Sequence, residues 1–282
     1  MARGGEIPPL LTSAVARKIL EGSDVVSLDL GLSEAPVALG EEAVTLPGGV
    51  IVELEDLRRV SERDDAVFFP DGDALYMVAI SDGHFYKLVP TDGAPTLEID
   101  GVRMHRTKGT TPDADAEEKV EALEVRGGRV LDTCTGLGYT ALAALGRGAD
   151  LVVSIELRPE VLRMAGMNPW SRGIFGDRRV HPLLGDAYDA LDALPRGFFD
   201  HVVHDPPRLA LAGQLYGQSF YAKVFRVLRG GGGLFHYTGE PGSRRRGIDL
   251  RRGVMRRLGQ AGFVDLVHHE NVRGVTCRKP ER

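Results

Sequence analysis

Four acidic residues recur in the second half of the chain, and each comes directly after an apolar run. They are Asp132, Glu156, Asp186 and Asp205. Carboxylates accept hydrogen bonds from ribose hydroxyls and from amino groups. In open α/β sheets, ligands bind at the carboxyl ends of the strands. If the apolar runs are parallel strands, the four acids predict one ligand site along a single edge of the sheet.

The segment that follows the first acid is rich in glycine. Asp132 opens the run Asp-Thr-Cys-Thr-Gly-Leu-Gly-Tyr, which places Gly136 and Gly138 in a turn between a strand and a helix. Glycines let the backbone approach a ligand closely, and a helix N-terminus favours negative charge. A dinucleotide-binding loop has a similar pattern, but its third glycine would fall at Ala141. A dehydrogenase is therefore disfavoured.

Residues 129–278 resemble class I S-adenosylmethionine-dependent methyltransferases. The pattern Asp132-x-x-x-Gly136-x-Gly138 is similar to the first motif of that family, and Glu156 stands where the family has its ribose-binding acid. The resemblance implies S-adenosyl-L-methionine as the cofactor. The residues that it assigns to cofactor binding are Asp132, Gly136, Gly138, Glu156, Asp186 and Ala187.

The segment Asp205-Pro206-Pro207 resembles the fourth motif of the same family. There, this motif followed by an aromatic residue belongs to enzymes that methylate planar amino groups, and the acid and a proline carbonyl bind the target nitrogen. The resemblance implies that Asp205, Pro206 and Pro207 are catalytic. Arg208 replaces the aromatic residue here, and downstream tyrosines are the candidates to substitute for it. The expected substrate-binding residues in this region are Arg208, Tyr216, Tyr221 and Tyr237. The alternative is that the tyrosines pack a helix against the sheet.

Two further resemblances leave the reaction open. Residues 205–221 are similar to spermidine synthases, which transfer an aminopropyl group and have a Phe-Tyr helix after their catalytic aspartate. The whole chain resembles an uncharacterised archaeal methyltransferase group with a His-Asp-Pro-Pro-Arg motif, which implies no established substrate. We favour N-methylation of an RNA base amine, and the alternative is transfer to a small amine, including aminopropyl transfer. A non-catalytic binding module is disfavoured because all four acids are present.

A dense basic run follows the fifth predicted strand of the second half. Seven arginines occur within residues 244–257, namely Arg244, Arg245, Arg246, Arg251, Arg252, Arg256 and Arg257. Such a run suits phosphate groups. The alternative is a solvated helix face in an arginine-rich protein. We expect RNA to bind here, with Arg244, Arg245 and Arg246 as substrate-binding residues.

The elements that position these residues change character near residue 112. Before it, short alternating runs are separated by Asp-Gly pairs, which indicates antiparallel hairpins after a helix over Thr12–Leu20. The predicted strands there are Val25–Leu30, Val50–Leu54, Leu75–Ile80, Phe85–Val89 and Leu97–Ile99. After it, the acidic segment Asp113–Leu123 is predicted to be a helix. Apolar strands then alternate with helices, as in a parallel α/β sheet, and they include Val180–Leu184 and, after a glycine run, Leu234–Tyr237. The predicted helices there are Tyr139–Leu145, Pro159–Met167, Ala187–Leu194, Gln214–Leu228 and Leu250–Gln260.

These patterns predict two domains. Residues 1–111 form a smaller N-terminal β-rich domain, which we expect to serve substrate recognition. Residues 112–282 form the S-adenosylmethionine-binding methyltransferase domain. The resemblance implies a Rossmann-like seven-stranded sheet with the order 3-2-1-4-5-7-6, in which strand seven is antiparallel.

Composition limits the class of protein. With 282 residues, 43% of them hydrophobic, the chain can bury a sizeable core, so intrinsic disorder is excluded. The formal net charge is -5, which means that attraction to nucleic acid must be local. Two distant cysteines and the absence of metal-ligand spacing predict neither disulfides nor a metal site. We expect a cytoplasmic protein without a membrane partner, since neither an apolar span nor a signal-peptide pattern occurs.

Overall fold

The computed structural model of the protein describes residues 7–239 and 250–281, and these form two compact units. The first unit comprises the chain up to Pro112 together with Glu160–Arg172. The second comprises Asp113–Pro159 and the chain from Gly173 onward. The change of pattern near residue 112 thus coincides with the division between the units.

The segment Glu160–Arg172 differs from its sequence-based assignment to the second domain. Within the first unit, Trp170 Nε1 donates a hydrogen bond to the Leu30 carbonyl oxygen over 3.0 Å. Arg163 also lies 3.5 Å from the carboxylate of Asp82. These contacts are distant in sequence, which is why local patterns did not predict them.

The first unit is built from short antiparallel strands and helices. Its helices include α1 (Ser13–Leu20) and α2 (Leu54–Ser61). Its strands include β1 (Val25–Val26), β2 (Ala35–Pro36), β3 (Ala38–Leu39), β4 (Ala43–Leu46), β5 (Val50–Glu53), β6 (Phe68–Asp71), β7 (Ala74–Met77), β8 (Ala79–Asp82), β9 (His84–Val89), β10 (Thr96–Ile99) and β11 (Val102–Arg103). The largest of its sheets has the order β11-β10-β9-β8, and all pairs are antiparallel.

Two local features of this unit depart from the sequence-based prediction. The single predicted strand Leu75–Ile80 is two strands, because the Val78 N–H donates to Val67 while its carbonyl accepts from Leu88. Helix α2 was not predicted at all. Its acids lie in the first turn and its arginines in the last, an arrangement that the helix dipole favours.

The second unit contains a seven-stranded sheet flanked by helices. The remaining helices include α3 (Pro112–Ala122), α4 (Tyr139–Gly146), α5 (Pro159–Gly166), α6 (Arg172–Gly176), α7 (Ala187–Ala193), α8 (Gln218–Val227) and α9 (Leu250–Gln260), of which α5 lies almost entirely in the first unit. The strands are β12 (Arg129–Asp132), β13 (Leu151–Glu156), β14 (Val180–Leu184), β15 (Phe199–His204), β16 (Leu228–Tyr237), β17 (Val264–His269) and β18 (Gly274–Arg278).

The order across this sheet is β14-β13-β12-β15-β16-β18-β17, which is 3-2-1-4-5-7-6 when the strands are numbered along the chain. Strand β18 is antiparallel to both of its neighbours, whereas the pairs from β14 to β16 are parallel. The predicted α/β class with a seven-stranded, mostly parallel sheet is confirmed. Buried residues such as Leu131, Val202 and Phe235 form its core, as expected for strands covered on both faces.

Two boundaries in the second unit differ from the prediction. Helix α8 begins at Gln218 rather than Gln214, because a 3-10 turn over Gly213–Tyr216 precedes it. Strand β16 begins at Leu228 and includes the glycines that we expected before it. Backbone hydrogen bonds between this glycine run and Lys279 extend the strand. Within residues 7–239 and 250–281, none of the helices combines the length and apolarity needed to cross a bilayer.

Candidate functional site

The carboxyl ends of four neighbouring strands place the predicted acids along one edge of the sheet. Asp132 ends β12, Glu156 ends β13, and Asp186 and Asp205 follow β14 and β15. In the parallel register, Asp132 is opposite Ser154 of β13. This edge therefore brings together residues that are separated by more than seventy positions in sequence.

Asp132 is completely buried at this edge. The Ser154 hydroxyl donates to its Oδ2 over 2.8 Å, and the Cys134 N–H and the Thr140 hydroxyl also interact with this carboxylate. Burial raises the pKa of Asp132 to about 6. Asp132 therefore joins the start of the glycine-rich loop to β13.

The glycine-rich loop after Asp132 has a backbone that side chains would obstruct. Gly136 and Gly138 have φ values of 55° and 82°, in the left-handed region. A Cβ atom on Gly138 would lie 1.9 Å from Cδ1 of Ile174. The loop is also joined to the next strand end, because the Gly136 N–H donates to Glu156 Oε2 over 2.9 Å.

Glu156 lies next to exposed apolar side chains at the ends of β13 and β14. The Arg158 N–H donates to Glu156 Oε1, and burial raises the pKa of this carboxyl group. Leu157 and Leu184 beside it are each 58% exposed. Carboxylate oxygens next to apolar side chains suit a nucleoside, whose ribose is polar and whose base has apolar faces.

Asp186 forms the N-cap of helix α7, which begins at Ala187. Its Oδ1 accepts from the Tyr188 N–H over 2.7 Å, and its Oδ2 accepts from Gln214 Nε2 over 2.8 Å. A direct bond from Asp186 to a ligand would therefore share or replace the Gln214 contact. Gln214 was not among the predicted site residues, because it lies on a turn that sequence patterns placed inside a helix.

Asp205 pairs with a buried lysine that the sequence analysis missed. Lys119 of helix α3 places Nζ 2.6 Å from Asp205 Oδ2 and 2.7 Å from Asp115 Oδ2. Burial alone would lower the pKa of Lys119, but the two carboxylates raise it overall. The Tyr237 ring lies 4.6 Å from the same Nζ. The only sequence signal was the i, i+4 spacing of Asp115 and Lys119 on a predicted helix.

Some polar groups around Asp205 make no hydrogen bond to the described residues, whereas others already have a hydrogen-bond partner. Within the described part of the chain, Asp205 Oδ1 and the Tyr237 phenol make no hydrogen bond, and the Asp205 side chain is 22% exposed. The Pro207 carbonyl, in contrast, accepts from the Tyr216 phenol over 2.9 Å. Pro206 is buried and Arg208 is exposed. Of the two proline carbonyls in the motif, only that of Pro206 lacks a hydrogen bond among these residues.

Two predicted substrate-binding tyrosines are core residues. Tyr221 is completely buried in helix α8, and its phenol donates to His236 Nε2 over 2.8 Å. Tyr216 is 3% exposed and holds the Pro207 carbonyl. The prediction that they contact substrate is wrong for Tyr221 and indirect for Tyr216, because α8 and the preceding turn pack them against the sheet. Tyr237 remains partly exposed at the site.

Two buried histidines lie beneath the site. His204 Nε2 donates to the Leu215 carbonyl and Nδ1 accepts from Thr133, while His236 Nδ1 donates to the Tyr237 carbonyl. Their ring centroids are 4.5 Å apart. Burial lowers the pKa of both, that of His236 to about 3. Both are therefore neutral structural residues.

These histidines should make the fold less stable in acid. Below pH 6.5 the unfolded chain binds protons that the buried imidazoles exclude, so at about pH 5 each should lower the free energy of unfolding by about 2 kcal/mol. Urea unfolding near pH 7.5 and pH 5 should show a smaller loss for His236→Gln, which keeps a donor and an acceptor. Asp132, whose pKa is raised in the folded state, increases the free energy of unfolding as the pH falls, and it does so in the wild type and in His236→Gln alike. Equal losses in the two proteins would contradict the role of His236.

The arginine run is only partly described. Arg244, Arg245 and Arg246 lie outside the described residues. In helix α9, Arg252 and Arg256 are exposed, whereas Arg257 has a buried Nε and interacts with the Tyr221 phenol. Part of the Arg257 side chain therefore packs against the core, unlike those of Arg252 and Arg256.

The model of a family described as "Conserved hypothetical protein 95" matches residues 114–216. The uncharacterized protein MJ1233 of Methanocaldococcus jannaschii is 42% identical over 279 residues, which cover 96% of this chain and 95% of that protein. This chain belongs to the family of MJ1233. The match includes both units, so the family shares the β-rich segment as well as the seven-stranded sheet.

More distant relatives share part of the chain or the fold. Polyamine aminopropyltransferase 2 of Streptomyces coelicolor is 32% identical over 138 residues, which are 46% of this chain and 25% of that protein. A spermidine synthase in complex with the transition state analogue AdoDATO has a TM-score of 0.61, 15% identity, and coverage of 72% and 73% of the two chains. A spermidine synthase from Thermotoga maritima has a TM-score of 0.55, 15% identity, and coverage of 71% of each chain. The two structures establish a shared fold.

Proposed function

We propose that this protein is an S-adenosyl-L-methionine-dependent methyltransferase that methylates an amine nitrogen of an RNA base. The observation that carries the proposal is Asp205, whose Oδ2 is held by Lys119 while Oδ1 is an open acceptor. It stands at the sheet edge that also bears the glycine-rich loop and Glu156. The proposed site of the methyl donor and the proposed site of the amine that accepts the methyl group therefore lie at the same edge of the sheet.

The residues of this edge fit the cofactor. When bound, S-adenosylmethionine supplies a methyl group activated by a sulfonium. Glu156 would accept hydrogen bonds from the ribose hydroxyls, and the buried Asp132 would hold the start of the glycine-rich loop beside the cofactor through the Cys134 N–H. Asp186 and Ala187 would lie by the adenine. The left-handed φ values of Gly136 and Gly138 allow the tight turn by which the loop passes from β12 to α4.

Asp205 and Pro206 would hold the acceptor amine. An amino group can donate one N–H to Asp205 Oδ1 and the other to the Pro206 carbonyl, which directs its lone pair away from both. Such positioning accounts for a large part of the rate gain when two reactants are held together. The partly exposed Tyr237 ring offers an apolar face next to this place.

Charge supports RNA contact at the second unit. Residues 113–282 contain 25 basic and 21 acidic residues, whereas residues 1–112 contain 10 basic and 19 acidic ones. The exposed Arg208 and Arg256 suit phosphates. Residues 1–112 do not suit phosphates, because they are mainly acidic. The substrate recognition that we expected in this part of the chain would therefore not act through the RNA backbone.

The cofactor assignment predicts the effect of one substitution. Glu156→Ala should weaken S-adenosylmethionine binding by about 1–3 kcal/mol, because the ribose hydroxyls lose a charged acceptor. Isothermal calorimetry would measure this change. Glu41→Ala, which removes an exposed acid of the first unit, should leave the affinity as it is. An unaltered affinity for Glu156→Ala would refute the assigned ribose site.

The reaction can be tested with isotopically labelled methyl groups. Bulk RNA is incubated with the protein and methyl-labelled S-adenosylmethionine, digested to nucleosides and analysed by mass spectrometry. We expect label on the exocyclic nitrogen of one nucleoside, and at least about a hundredfold slower labelling with Asp205→Ala. Absence of label from every nucleoside at low salt would contradict the RNA proposal.

Aminopropyl transfer is the second candidate. It is favoured by the 32% identity to the Streptomyces polyamine aminopropyltransferase and by the acidic character of residues 1–112. The parallel experiment supplies decarboxylated S-adenosylmethionine with putrescine or spermidine. Formation of a longer polyamine, together with unlabelled RNA in the first experiment, would replace the first candidate by the second.

A further inference from the structure

We propose that Lys119 is a specificity-determining residue, which restricts the acceptor at Asp205 to an uncharged nitrogen and excludes alkylammonium groups. The inference rests on the proposed transfer to an amine held by Asp205. It assigns a role to a side chain that neither the sequence motif nor the cofactor site requires.

The surroundings of Lys119 Nζ are those of an ammonium-binding site. Two carboxylates lie 2.6 Å and 2.7 Å away, and the face of Tyr237 lies 4.6 Å away. Carboxylates and aromatic faces are the groups that bind alkylammonium ions. Lys119 itself has an ammonium on a four-carbon stem. The protein thus fills this position with its own cation, which is almost fully buried.

A second cation at Asp205 would meet the charge of the first. An ammonium hydrogen-bonded to Oδ1 would lie about 5–6 Å from Lys119 Nζ. At that distance, in the partly buried setting of the site, the repulsion from Lys119 alone corresponds to a loss of affinity on the order of a hundredfold, and the Asp115 carboxylate 2.7 Å from Nζ offsets part of it. Asp205 cannot compensate with its full charge, because Oδ2 is already bonded to Lys119.

An uncharged amino group avoids this repulsion. It donates a hydrogen bond to Oδ1 without adding charge, and hydrogen bonds to ionised acceptors are the stronger kind. Lys119 also fixes the orientation of Asp205, so that Oδ1 is the oxygen presented to the acceptor. Amino groups conjugated to a planar ring are uncharged at neutral pH, whereas aliphatic amines are cations.

Removing Lys119 should open the position to a free cation. In Lys119→Ala, n-butylammonium should bind and raise the melting temperature, with an affinity at least about a hundredfold greater than in the wild type, measured by calorimetry. Lys223→Ala is the matched control, since Lys223 also pairs with a carboxylate over 2.6 Å and lies 3.8 Å from a tyrosine ring. Its partner Asp192 is exposed, so that variant should bind n-butylammonium no better than the wild type.

A double variant provides a second test of the proposal if Lys119→Ala does not fold. Lys119→Met with Asp115→Asn removes one charge of each sign and leaves Asp205 without a neighbouring ammonium. This double variant should also bind n-butylammonium. When spermidine is supplied as the acceptor of the transferred group, its KM should be far lower for the double variant than for the wild type. Equal binding of n-butylammonium by the wild type and both variants would overturn the proposal. This binding assay needs no methyl transfer, so failure of RNA methylation alone would contradict the proposed function and leave Lys119 to be decided separately.

Discussion

Replacing Asp205 with alanine should lower turnover at least about a hundredfold while the affinity for S-adenosylmethionine changes little. Asp205 Oδ1 is the open acceptor at the place proposed for the amine, so its loss removes an interaction that orients the reacting nitrogen. A group that acts mainly on the transition state affects kcat more than binding. Steady-state kinetics on the labelled substrate and calorimetry with the cofactor would measure the two effects.

The structure supplies controls for this substitution. Lys119 keeps Asp115 as a partner in Asp205→Ala, so the buried ammonium is not left uncompensated. Asp192→Ala removes a carboxylate that pairs with Lys223 over the same 2.6 Å at an exposed position, and it should retain full turnover. Near-normal turnover of Asp205→Ala would remove Asp205 from the mechanism.

Gly138→Ala should destabilise the fold by about 2–5 kcal/mol and greatly weaken cofactor binding. The left-handed φ of 82° costs an alanine about 1–2 kcal/mol, and crowding in a packed interior costs about 1–3 kcal/mol more. The crowding arises because the new Cβ would lie 1.9 Å from Cδ1 and 2.5 Å from Cγ1 of Ile174, which is completely buried. Urea unfolding would measure the loss of stability.

Gly148, just beyond the other end of helix α4, is a control that distinguishes the cost of the left-handed φ from the cost of crowding. It has a φ of 86°, and the nearest atom that a Cβ would meet is 4.0 Å away. Gly148→Ala should therefore show only the conformational cost. If both variants lose the same stability, the contact with Ile174 has no effect. A partial recovery in Gly138→Ala with Ile174→Ala would identify that contact as the cause.

Local patterns predicted the regular elements of the second unit well. Strand Val180–Leu184 and helix Leu250–Gln260 have the bounds expected from the sequence. Buried strands need continuous apolar runs, and helices beside them need apolar residues at helical spacing, so both leave a local signal. Helix α2 gave a weaker signal, because half of its eight residues are charged and only Leu57 and Val60 are buried.

The sequence by itself determined the parallel sheet and the edge that carries Asp132, Glu156, Asp186 and Asp205, because each acid ends an apolar run and parallel strands align their carboxyl ends. The tertiary structure alone decided what each acid contacts. Lys119 reaches Asp205 across 86 positions of sequence, and Tyr221 turns into the core rather than toward the site. Such contacts depend on the packing of whole elements against one another, and that packing leaves no periodic trace in the sequence around either residue.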